Sequence, residues 1–91
     1  MPQEPGEEEP LKVHARFFAL YRERVGQRTL DFELPDDATV KDLVAAVCRR
    51  FPGFSPNPPT IVVAVNRDYA NHNHPLKNGD EAAFIPPVSG G

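Results

Sequence analysis

Apolar and polar residues alternate from Leu11 to Phe17. Leu11, Val13, Ala15 and Phe17 share one side, and Lys12, His14 and Arg16 the other. A period of two over seven residues predicts a strand with one buried face. A short polar stretch through Tyr21, Arg22, Glu23, Arg24 and Val25 leads to Gly26. The alternation then resumes in TLDFEL, residues 29–34, with Leu30, Phe32 and Leu34 opposed to Asp31 and Glu33. Two such strands close in sequence predict a hairpin. Beyond Pro35, Asp36 and Asp37 the period changes: Val40, Leu43, Val44, Val47 and Phe51 recur at helical spacing, which predicts a helix over residues 40–50. Thr39 is placed as its N-cap, and Asp42, three residues on, supplies the acidic partner of a capping box. Arg49 and Arg50 fall in the last turn, where the helix dipole favours positive charge, and Pro52 and Gly53 stop the helix.

FSPNPP, residues 54–59, reads as a turn-rich loop. IVVAV, residues 61–65, is a continuous apolar run rich in β-branched residues and predicts a central strand covered on at least one face. Asn66 and Arg67 form a turn, residues 70–78 are polar, and Asn78, Gly79 and Asp80 form a second turn. EAAFI, residues 81–85, is the last strand. One amphipathic helix must then cover one face of a mixed sheet, with the first and last long strands side by side. This order predicts an α+β fold, a β-grasp (ubiquitin-like) roll. A ferredoxin-like alternative needs a second long helix, and residues 66–80 are too polar and broken to supply one.

At 91 residues the chain is one small domain with little room for a deep pocket. Residues 1–10, with three prolines and four glutamates, read as a flexible acidic leader; residues 11–85 read as the domain, and 86–91 as an extended tail. The formal net charge is -3, but outside the leader nine acids face ten bases. No basic stripe follows a phosphate backbone, so nucleic acid is not an expected partner. The N-terminus lacks a signal-peptide pattern, and no apolar run reaches membrane-spanning length. Cys48 is the only cysteine, which excludes an intrachain disulfide and fits a reducing compartment. The expectation is a cytoplasmic protein with no membrane partner.

The candidate chemistry lies at the end of the chain, in PPVSGG. Pro86 and Pro87 cannot both donate to a sheet ladder, so they end the sheet and direct the chain outward. Val88 is a lone apolar residue beyond them. Ser89, Gly90 and Gly91 are small, and an extended six-residue tail reaches roughly 20 Å. Such a tail is thin enough for a channel that excludes branched side chains, and the Gly91 carboxylate has no steric cover. A free carboxylate is a poor electrophile. Adenylation with ATP makes it a mixed anhydride that a thiol or persulfide can attack. The carrier itself then needs reach, thinness and a docking surface, and no catalytic side chain.

Other candidates are weaker. Cys48 follows the core position Val47 and has no histidine or helix N-terminus beside it to lower its pKa, so it reads as a semi-buried structural thiol. His72 and His74 sit two apart in NHNH, but no third ligand is evident, and they read as turn residues. His14 reads as lying on the solvent side of the first strand, or on the side away from the helix. No metal site, Ser-His-Asp set or phosphate loop is read.

Three blocks carry a family resemblance: VHARFFALYRE at residues 13–23, VAVNRDYANHNHPLKNGDEAAF at 63–84, and IPPVSGG at 85–91. Together they resemble the small subunit of molybdopterin synthase, a sulfur-carrier family with the β-grasp fold, over residues 11–91. The resemblance implies that an E1-like enzyme adenylates Gly91 with ATP. A sulfur donor, such as a cysteine desulfurase or rhodanese-like protein, then makes the thiocarboxylate. The tail enters the large synthase subunit, in a heterotetramer, and passes sulfur to cyclic pyranopterin monophosphate to build the dithiolene. It implies no permanently bound cofactor, and it places the catalytic side chains in the large subunit. It also assigns Phe18, Tyr69 and Ile85 to an apolar docking face, with Pro86, Pro87, Val88 and Ser89 contacting the partner and Gly90 keeping the tail thin. Ile85 replaces a common phenylalanine, Tyr69 a familiar leucine, and Ser89 a frequent threonine. The alternatives are a β-grasp carrier for thiazole, tRNA thiolation or a tungsten cofactor, and a ubiquitin-like protein modifier or adaptor.

Overall fold

The computed structural model describes residues 10–55 and 60–86. In chain order the elements are β1 (Leu11–Phe17), α1 (Ala19–Val25), β2 (Thr29–Leu34), α2 (Val40–Arg50), β3 (Val62–Val65), β4 (Asp68–Ala70) and β5 (Glu81–Ile85). The strands form one sheet in the order β2-β1-β5-β3-β4, with β1 and β5 parallel and every other pair antiparallel. The first and last strands are therefore neighbours at the centre, as a β-grasp roll requires.

The alternation in β1 settles its two faces: odd-numbered residues are buried and even-numbered ones exposed throughout. Val13, Ala15 and Phe17 meet Phe32 of β2, Val63 of β3, and Ala82 and Phe84 of β5 in one core. Val40, Leu43, Val44 and Val47 of α2 close that core from one side, and burial of this apolar stripe holds the helix on the sheet. At the start of α2 the Asp42 carboxylate accepts the Thr39 N–H at 2.9 Å, which is the acidic half of the capping box. The segment before β5 serves the same helix end. The carbonyls of His74 and His72 accept the Val40 and Lys41 N–H groups at 3.0 and 2.9 Å, satisfying donors that a helix start leaves unpaired. His72 also donates from Nε2 to the Ile61 carbonyl at 2.8 Å.

Three parts differ from the sequence expectation. Residues 21–25, read as a polar stretch, belong to the short helix α1 (Ala19–Val25). Its inward face is only Tyr21 and Val25, and it ends at Gly26, whose φ of 85° and N–H bond to the Arg22 carbonyl make a left-handed cap. Asp68–Ala70 pairs with β3 as an edge strand of three residues, too short to carry a period. Phe54, in the stretch read as a loop, is fully buried. Its ring stacks on Tyr21 at 4.5 Å and meets Phe17 and Phe84 edge-on at 5.8 and 5.7 Å. Arg24 donates to the Phe54 carbonyl at 2.6 Å, tying this turn to α1. Among the described residues, no helix is long and apolar enough to cross a membrane.

Candidate functional site

Among the described residues, the sheet face opposite α2 carries no helix, and its composition divides it. On β1 and β2 it is charged. Lys12 pairs in register with Glu33, and His14 with Asp31. The His14 Nδ1–H donates to Asp31 Oδ1 at 2.7 Å, and Arg16 binds Glu81 of β5 at 3.0 Å. Towards β4 the face turns apolar. In register across four strands stand Arg16, Ala83, Ala64 and Tyr69. The two central positions are alanines, so the sheet forms a floor with nothing tall on it between walls of larger side chains. The result is an open concavity of about 320 Å³, with Phe18 and Arg16 on one side, Arg67 and Tyr69 on the other, and Ile85 at one end.

Phe18 reaches this face because it continues the even-numbered side of β1. The chain then turns sharply into α1 through Ala19, at a φ of 48°. The Arg16 guanidinium lies 5.4 Å from the Phe18 ring centroid, a cation–π contact. Tyr69 is 78% exposed, while Phe18 and Val62 are about two-fifths exposed; Val62 extends the apolar ground as the register partner of Ile85. Large apolar groups left in water beside a shallow depression are what an interaction surface presents.

The structure thus brings Phe18, Tyr69 and Ile85 into one concavity. Pro86 follows Ile85, half-buried at the end of β5. Pro87, Val88, Ser89, Gly90 and Gly91 lie outside the described residues. The sequence reading missed Arg16, Arg67 and the alanine floor. Its only signal for the floor was the presence of alanine in both EAAFI and IVVAV, and an apolar run gives no phase by which to assign faces.

The remaining candidates sit elsewhere. Cys48 on α2 is half-buried, and burial pushes its thiol pKa up, which keeps it protonated and weakly nucleophilic. Burial likewise raises the Tyr21 hydroxyl, outweighing the nearby Arg24 charge. Among the described residues, no three metal-ligating side chains gather.

Comparison with known proteins bears on this arrangement. The model of the ThiS family matches residues 15–91. The chain is 37% identical to a molybdopterin synthase sulfur carrier subunit of Chlamydomonas reinhardtii, over 89% of this chain and all of that one. It is 29% identical to small archaeal modifier protein 3 of Haloferax volcanii, again over 89% of this chain and all of that one. Among solved structures, it resembles a putative molybdopterin converting factor subunit 1 of Pyrococcus furiosus, with a TM-score of 0.78, 30% identity, and coverage of 86% and 99% of the two chains. It also resembles a chain in the complex of subunits 1 and 2 of the molybdopterin-converting factor of Helicobacter pylori, with a TM-score of 0.63, 28% identity, and coverage of 89% and 100%.

Proposed function

The chain belongs to the ThiS family, and we propose that it is the sulfur carrier of molybdenum cofactor biosynthesis, acting as the small subunit of a molybdopterin synthase. The observation that carries this reading is its identity, over nearly its whole length, to a named sulfur carrier subunit of that synthase. The open face agrees: a carrier whose tail reacts in its partners' active sites needs a docking surface near the root of that tail, and Ile85, the last residue of β5, lines the concavity.

The chemistry proceeds at Gly91. Its carboxylate attacks the α-phosphorus of ATP in an E1-like enzyme, releasing pyrophosphate and leaving an acyl adenylate. The terminal sulfur of a persulfide, borne by a cysteine desulfurase or rhodanese-like donor, attacks the acyl carbon and AMP departs. A thiol then reduces the acyl disulfide to the thiocarboxylate. The tail, from Pro86 through Gly90, carries that sulfur into the large subunit, where it passes to the pyranopterin. The H. pylori complex of two converting-factor subunits supports a large-subunit partner. A cytoplasmic location suits a chain with one thiol and no disulfide.

The test is the intact mass of the protein after incubation with ATP, the E1-like enzyme and a sulfur donor. A shift equal to one oxygen replaced by sulfur, localised to Gly91, is expected. No shift with a competent enzyme removes the carrier reading. The likeness to an archaeal modifier favours a second reading, in which the activated Gly91 is joined to a lysine amine. That reading predicts isopeptide-linked conjugates in cells, and a thiocarboxylate without conjugates argues against it.

Phe18 tests the docking surface. It is one wall of the concavity, a large aromatic side chain of the kind that anchors an interface. Phe18→Ala is expected to weaken binding to the large subunit by more than about 1 kcal/mol in titration calorimetry. Unchanged affinity would take Phe18 off the docking face.

A further inference from the structure

The turn joining β3 to β4 holds its central residues in an expensive conformation. Val65 pairs with Asp68, so the loop is only Asn66 and Arg67, and both have positive φ, 52° and 78°. A two-residue hairpin of this kind favours Asn followed by Gly. Asn66 fits, and its side chain is engaged: Nδ2 donates to Asp80 at 2.9 Å, and Oδ1 accepts the Glu81 N–H at 3.0 Å. Arg67 does not fit, because a side chain at φ near +78° crowds its own backbone. Strain kept where glycine would relieve it points to a use for the side chain.

The surroundings indicate that use. Arg67 and Arg16 stand on opposite sides of the alanine-floored concavity. Arg16 is matched within the molecule by Glu81. Arg67 belongs to neither of the two ion pairs among the described residues. The rim therefore carries one unmatched positive charge beside an apolar floor. Its complement is a protein surface with an apolar side chain small enough to rest on Ala64 and Ala83, and a carboxylate next to it.

We infer that Arg67 is a specificity residue for the protein that docks on this face, pairing with an aspartate or glutamate that flanks an apolar side chain of that partner. This rests on the proposed carrier function and adds the partner's chemistry to it. A charge at the rim acts mainly on encounter and on salt dependence, and a wrong-sign neighbour rejects other partners.

The experiment measures association of the full chain with the large synthase subunit of the same organism, at low and high salt, with thermal midpoints alongside. Arg67→Gly is expected to fold with an unchanged or raised midpoint, since the strain is gone. It should associate roughly 3–10-fold more slowly at low salt, with the deficit vanishing near 1 M salt, where screening is nearly complete. Arg67→Lys should keep most of the rate, and Arg67→Glu should lose more than the glycine variant. Ala83→Leu, which fills the floor, should weaken binding at every salt concentration. Wild-type rates and an unaltered salt slope in Arg67→Gly would overturn the inference and leave the carrier function standing. Undiminished binding by Ala83→Leu would overturn the apolar half of it. A wild-type chain that does not bind the large subunit at all would overturn both.

Discussion

Gly91→Leu is expected to fold with an unchanged thermal midpoint and to lose sulfur transfer by roughly 100-fold or more, the penalty that misplacing a reacting group carries. The two halves of the expectation come from different parts of the chain. Stability resides in a core whose side chains, among the described residues, run from Leu11 to Phe84, and a substitution outside such a core usually moves stability by less than about 0.5 kcal/mol. Reactivity resides in the carboxylate, which must reach two successive active sites. Each of those sites must bring a heteroatom to within about 3.5 Å of the reacting centre. A leucine at that position adds a branched side chain to the very residue that is attacked, and it widens a tail whose last two residues otherwise have no side chain. Single-turnover transfer from an isolated thiocarboxylate, measured next to the rate of adenylation, separates access to the synthase from access to the activating enzyme. Wild-type rates in both would overturn the argument that thinness is what the tail supplies.

The parts of the molecule that were readable from sequence are those with enough residues to show a period. β1 shows seven alternating positions, and α2 shows about three turns of apolar spacing with a stop signal at each end. Both lie within a residue or so of where their patterns place them. The β-grasp order follows from them. α1 was invisible for a physical reason: two inward residues on a charged background make no period, and only Gly26 marked its end. β4 has three residues, and its signal was the Asn66–Arg67 turn rather than its own pattern. The site was legible only in part. Phe18, Tyr69 and Ile85 are far apart in sequence and came from family resemblance, not from spacing. Their common concavity depends on cross-strand register, which places Ala83 against both Arg16 and Ala64, and register is a property of pairing that a single strand does not encode.

Phe54 shows the same limit with the largest energetic consequence. Proline, serine and asparagine around it read as a loop, and loops normally run over the surface. Yet Phe54 is fully buried, packed by Tyr21, Phe17 and Phe84. Phe54→Ala is expected to cost about 3–5 kcal/mol, because it removes the transfer energy of the ring and leaves three aromatic neighbours facing a cavity. A domain of this length has only about 5–14 kcal/mol in all, so the variant should show a much lower urea midpoint with little change in slope. The bond from Arg24 reaches the Phe54 carbonyl and survives the truncation, so the loop stays tethered and cannot collapse freely into the gap. Phe84 loses one of its two ring neighbours and immediately precedes Ile85 and Pro86, where the tail begins. Docking should therefore weaken together with stability in Phe54→Ala, whereas Gly91→Leu should impair transfer alone. A loss below about 1 kcal/mol would mean that the turn closes over the vacated space, and Phe54 would not be the anchor that its burial indicates.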